Sequence, residues 1–100
     1  MTLTSKQRAY LRSLANTLEP IVHAGKSGIS DAMIKQADDA LTAREIIKGK
    51  ALETAPQSAR ETAETIAAAV GAQVVQVVGR TFVLFRQKEK ESQITLPRAK

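Results

Sequence analysis

The 100-residue sequence predicts an α/β two-layer sandwich with elements in the order α-β-α-β-α-β-β and a mixed four-stranded sheet ending in a C-terminal β-hairpin. Two observations predict it. Segments of helical periodicity alternate with short apolar runs, which calls for parallel strands joined by helical crossovers. The last two apolar runs, residues 73–78 and 81–85, are separated only by Gly79 and Arg80, the pattern of a tight antiparallel hairpin. With the helices expected on one face, residues 1–87 form a single domain and residues 88–100 a polar tail.

Thr4 followed by Gln7 is a capping-box pattern. Tyr10, Leu11, Leu14, Ala15 and Leu18 then recur at helical spacing, so a helix is expected over residues 5–17, with Lys6, Arg8 and Arg12 largely off its apolar stripe. Pro20 prevents its continuation, and residues 21–24 read as a short buried strand. Gly25 and Gly28 enclose Lys26 and Ser27. Ser30 and Asp31 open a second helix, expected over residues 31–42, that buries Met33 or Ile34, Ala37 and Leu41. Residues 44–52 alternate as a second strand, with Ile47, Gly49 and Ala51 facing one way and Ile46, Lys48 and Lys50 the other. Gly49 weakens that strand or marks a close approach. Ser58 with Glu61 makes another capping box, and the third helix turns Ala63, Ile66, Ala67 and Val70 inward before stopping at Gly71. Because successive strand residues point to opposite faces, Phe82 and Phe85 are not both expected to be buried against the helices.

Fifteen Lys and Arg against ten Asp and Glu leave a net charge of +5, and a small basic domain calls for an anionic partner, most commonly nucleic acid. The absence of cysteine excludes disulfides, thiolate catalysis and zinc–thiolate sites. No stretch approaches the ~20 apolar residues of a membrane span, and the first residues lack the apolar core of a signal peptide. A cytoplasmic protein is expected.

The sequence Gly25-Lys26-Ser27-Gly28, set between a strand and a capped helix, is a device for holding phosphate: its glycines permit a sharp turn, the helix presents free amides, and Lys26 adds charge. A nucleotide-binding P-loop would require a glycine five residues before Gly25, where Pro20 stands. The alternative is a GxxG clamp on a nucleic-acid backbone, as in KH domains. Lys48, Lys50, Arg80 and Arg86, with Arg44 and Lys26, form a candidate basic stripe along a sheet edge and its loops. Only 3% of residues are aromatic, too few for the stacking platform of an RRM. His23, the sole histidine, has no partner at catalytic or metal-ligand spacing and reads as a strand residue. The acids Asp38, Asp39, Glu61 and Glu64 read as solvated helix faces, so no metal or cofactor is expected.

Four segments, LTSKQRAYLRSLANTLEPIVHAGKSGIS, REIIKGK, QVVGRTFVLFR and ITLPR, together resemble the CRM domain family in its stand-alone bacterial, YhbY-like form. The resemblance implies a fold similar to the C-terminal domain of translation initiation factor three, no enzymatic activity, and binding of structured RNA linked to precursors of the large ribosomal subunit. It places the RNA-binding loop on Gly25, Lys26, Ser27 and Gly28, the basic strand on Lys48 and Lys50, and the hairpin and strand-end cations on Arg80 and Arg86. Gly49 stands where the family usually carries a branched apolar residue, and Phe85 replaces a more usual tyrosine. The expectation is a monomeric RNA-binding protein acting in maturation of the large subunit. The rival is a protein-interaction adaptor docking on ribosomal proteins or assembly factors.

Overall fold

Each helix starts where a side chain satisfies its first amides. In the computed structural model, which describes residues 3–87, Thr4 Oγ1 accepts from the Gln7 amide at 3.1 Å while Gln7 Oε1 accepts from the Thr4 amide at 3.0 Å. This opens α1 (Ser5–Ala15). Ser30 caps α2 (Asp31–Arg44) through the Met33 amide, and Ser58 with Glu61 opens α3 (Ala59–Val70). Such caps contribute about 1 kcal/mol each. The tail expected over 88–100, with its ITLPR segment, lies outside the described residues.

The strands are β1 (Pro20–Ala24), β2 (Ile46–Ala51), β3 (Gln73–Val78) and β4 (Thr81–Phe85), in spatial order β1-β2-β4-β3. β1 runs parallel to β2, and β4 is antiparallel to both β2 and β3. The expected element order, mixed sheet and hairpin are all present. Val78 pairs with Thr81 across the two-residue turn. Gly79 takes a positive φ of 58° there, as the first central residue of a hairpin turn requires.

The helices are not confined to one face, and here the two-layer expectation is corrected. α2 and α3 pack with Val22, Ala24, Ile47, Ala51, Phe82 and Leu84. α1 packs on the opposite face, where Leu11 and Ala15 meet Ile46, Val75, Val83 and Phe85. The reason lies in β4. Its run Phe82–Val83–Leu84–Phe85 is apolar at every position rather than alternating, which is the pattern of a strand covered on both sides. Phe82 and Phe85 are consequently both buried, at 1% and 0% exposure, one against each helical layer.

Two local devices hold the layers in register. β3 carries a bulge between Val74 and Gln76, and Arg8 of α1 donates to the carbonyls of Val74 at 2.6 Å and Val75 at 2.9 Å. That tethers α1 to an irregular edge strand. In β2, Gly49 lies directly across from Phe82. A Cβ on Gly49 would sit 2.3 Å from Phe82 Cζ, so the ring occupies the space that a side chain on Gly49 would fill. Gly49 marks a close approach.

Candidate nucleic-acid interface

The loop after β1 is a closed turn. The Gly28 amide donates to the Gly25 carbonyl at 2.9 Å, which leaves Lys26 and Ser27 exposed at the tip. Gly28 has φ +73°, and a Cβ there would meet Pro56 Cγ at 3.1 Å and Gln57 Oε1 at 3.3 Å. The segment 52–58 therefore forms a floor beneath the loop. Gly25 has no such need: a Cβ would lie 3.7 Å from Leu52 Cδ1, an ordinary contact. At the start of α2, Ser30 takes up the amides of Met33 and Ile34 through its hydroxyl and carbonyl oxygens. The amides of Asp31 and Ala32 remain as the open helix-end donors. Asp31 places a carboxylate in the same turn, so the helix end alone does not select anions. Cations stand on the neighbouring elements.

Those cations come from three elements. Lys48 and Lys50 lie on the sheet face shared with α1, because Ile47, Gly49 and Ala51 are turned to the α2–α3 side. α1 covers Ile46, Val83, Val75 and Phe85, and beyond its reach both lysines are only half-buried. Lys50 pairs with His23 of β1 and Thr81 of β4, so it stands at the loop end of the sheet. Lys48 lines a small groove with Arg44, extending the stripe along β2. Among the described residues no ion pair engages Lys26, Lys48 or Lys50. Arg80, in the hairpin turn, meets Glu53 at 3.2 Å with both side chains largely exposed. Such surface pairs contribute only about 0.2–1 kcal/mol, so a phosphate can displace the glutamate.

Arg86 is not brought to this end. It follows the last residue of β4, about 20 Å from Arg80 at ~3.3 Å per strand residue. Its guanidinium is bound within the protein: to Asp38 Oδ1 at 2.6 Å, the Val70 carbonyl at 2.8 Å, Thr42 Oγ1 at 2.9 Å and the Asp38 carbonyl at 3.0 Å. Arg86 thus clamps the ends of α2, α3 and β4 together. Nothing in the sequence pairs it with Asp38, since 48 positions separate them.

Beside the GKSG loop lies an open cleft of about 420 Å³, bounded by the loop, the first turns of α2, and His23. His23, expected only as a strand residue, and Gln36, which no motif singled out, both line it. The signal for His23 was present, since it alternates with Val22 and Ala24, which point inward. Among the described residues no group of three or more potential metal ligands occurs, and no helix is long and apolar enough to cross a membrane.

Compared with known proteins, residues 3–86 match the CRS1 / YhbY (CRM) domain. The chain is 42% identical over 95 residues to a Bacillus subtilis protein named "Probable RNA-binding protein YqeI", covering 95% of this chain and 99% of that one. It is 33% identical over 97 residues to an "RNA-binding protein" of Haemophilus influenzae, covering 97% of each. It also superposes on the solution structure of the hypothetical protein SAV1595 from Staphylococcus aureus with a TM-score of 0.80 and 44% identity, over 96% of this chain and 100% of that one.

Proposed function

The chain belongs to the CRS1/YhbY (CRM) domain family, and from that premise we propose that it binds RNA through the end of the sheet that carries the GKSG loop. Relatives along nearly its whole length are named for RNA binding. The observation that carries the reading is that Lys26, Lys50 and Arg80 stand at one end of the sheet, with Lys48 farther along β2 on the same face as Lys50, and that the three lysines have no ion pair among the described residues. The Lys26 side chain, the amides of Lys26 and Ser27 at the loop tip, and the open amides of Asp31 and Ala32 hold a phosphate. Lys48, Lys50 and Arg80 neutralise its neighbours along the strand. Arg86 serves the fold rather than the RNA.

The RNA is ribosomal, and the protein acts as a non-enzymatic, monomeric factor in maturation of the large ribosomal subunit, in the cytoplasm. The resemblance of the four sequence segments to the YhbY-like form supports this finer reading. Crosslinking in cells followed by sequencing tests it. Recovery of large-subunit precursor RNA crosslinked at Lys26 is the expected result, and crosslinks to protein alone would favour the adaptor instead.

In vitro, four phosphate contacts to single-stranded RNA give a slope of log K against log salt of about −3, at roughly −0.7 per phosphate. Lys26→Ala is expected to weaken all RNA sequences similarly and to lower the slope magnitude by about 0.7, because phosphate contacts carry no sequence information. An affinity independent of salt would refute the proposal.

A further inference from the structure

The cleft beside the GKSG loop is lined by His23 and Gln36, two residues for which phosphate binding has no use. His23 is exposed between two fully buried residues, Val22 and Ala24. It lies on the half of the sheet that α1 leaves open, with Lys50 as its cross-strand neighbour. Phe82 and Phe85 are buried and Tyr10 sits on α1, so among the described residues His23 is the one residue with an aromatic ring that lines this cleft. Across the cleft, Gln36 Nε2 donates to the Ile21 carbonyl at 2.8 Å, at the irregularity where β1 slips register. That bond fixes the amide, and among the described residues one N–H and the Oε1 acceptor have no other partner. Met33, 7% exposed, supplies an apolar wall, and among the described residues no acidic side chain lines the space. At about 420 Å³, the cleft falls within the ~300–1,000 Å³ of small-molecule sites.

We propose that this cleft seats one unstacked nucleobase of the bound RNA, with the His23 imidazole as the surface it stacks on and the Gln36 amide as the group that reads its edge. Imidazole is among the rings on which splayed RNA bases stack, and an oriented amide offers a donor and an acceptor to a base edge. The same cleft is bounded by the GKSG loop, so one nucleotide reaches both, its phosphate on the loop and its base in the seat. The inference rests on the RNA-binding reading above. It adds that affinity has a base-dependent part and that this part resides in two side chains.

The test measures Kd by fluorescence anisotropy for the full chain and its variants. The probes are short oligoadenosine, oligouridine and oligocytidine, and an RNA of the same length whose riboses carry no bases. His23→Ala is expected to raise Kd about 5- to 100-fold on base-bearing RNA, the effect of one lost base–ring stack, and to leave the baseless RNA unchanged. His23→Phe, which keeps a ring, restores binding. Gln36→Met is expected to level the wild-type differences among the three homopolymers. Lys26→Ala weakens binding to all four RNAs. An unchanged Kd for His23→Ala, or an equal loss on base-bearing and baseless RNA, would overturn the seat while leaving backbone binding intact. Failure of the wild-type protein to bind any of the four would overturn the RNA-binding reading itself.

Discussion

Gly25 and Gly28 play the same part in the sequence motif and different parts in the fold. Only Gly28 has a positive φ, and only its Cβ would press on Pro56 and Gln57. Gly28→Ala is therefore expected to lower stability by about 1–2 kcal/mol, the cost of a left-handed backbone for a residue with a Cβ. Gly25→Ala is expected to stay within about 0.5 kcal/mol, as for an ordinary surface change. Urea denaturation of the two variants checks both, and equal losses would contradict the difference in backbone. Gly49 gives a second case. A branched side chain there collides with the Phe82 ring, so Gly49→Val is expected to cost about 1–3 kcal/mol through overpacking. In the Phe82→Leu background the cost should shrink, and a double-mutant cycle with no coupling between the positions would contradict this. At this scale the sequence shows that a glycine sits in a turn or a strand. It does not show which ring fills the space left free, because Phe82 lies 33 positions away in the chain.

Among the elements, the capped helix starts, the Gly71 stop and the two-residue hairpin were all legible, since each is encoded within four neighbouring residues. The layer to which α1 belongs was not. Its apolar stripe requires a partner without naming one, and the unbroken apolar run of β4 was the available sign that the sheet is covered on both faces. The role of Arg86 was hidden for the same reason. A strand-end arginine beside a basic stripe resembles a phosphate contact until its four hydrogen bonds to α2 and the end of α3 are seen. Arg86→Met is expected to lower stability by about 1.5–3 kcal/mol, the range for hydrogen bonds to charged groups. The RNA Kd of the folded variant should remain at the wild-type value. A Kd raised in step with that of Lys26→Ala would return Arg86 to the binding track.

For the whole molecule, a net charge of +5 says that an anion is attracted but not where. The proposed binding end follows from the fold. Packing α1 over β3, β4 and the start of β2 closes one half of the second sheet face and leaves Lys48, Lys50 and His23 on the other. The parallel pairing of β1 with β2 delivers the GKSG loop and Lys50 to one end of the sheet, and the hairpin brings Arg80 to that same end. Lys26, the lysines of β2 and the hairpin cation were readable as candidates. The placement of Lys50 and Arg80 at the end of the sheet where Lys26, His23 and Gln36 line a cleft depends on strand order, which local sequence does not encode. The most direct measurement is a map of backbone amide chemical shifts as the intact protein is titrated with short oligouridine. Shifts concentrated in residues 23–36, 48–52 and 78–81, with α3 and Arg86 unmoved, are the expected result. Shifts centred on α3 or on the Arg86 end of β4, with the GKSG loop silent, would contradict it.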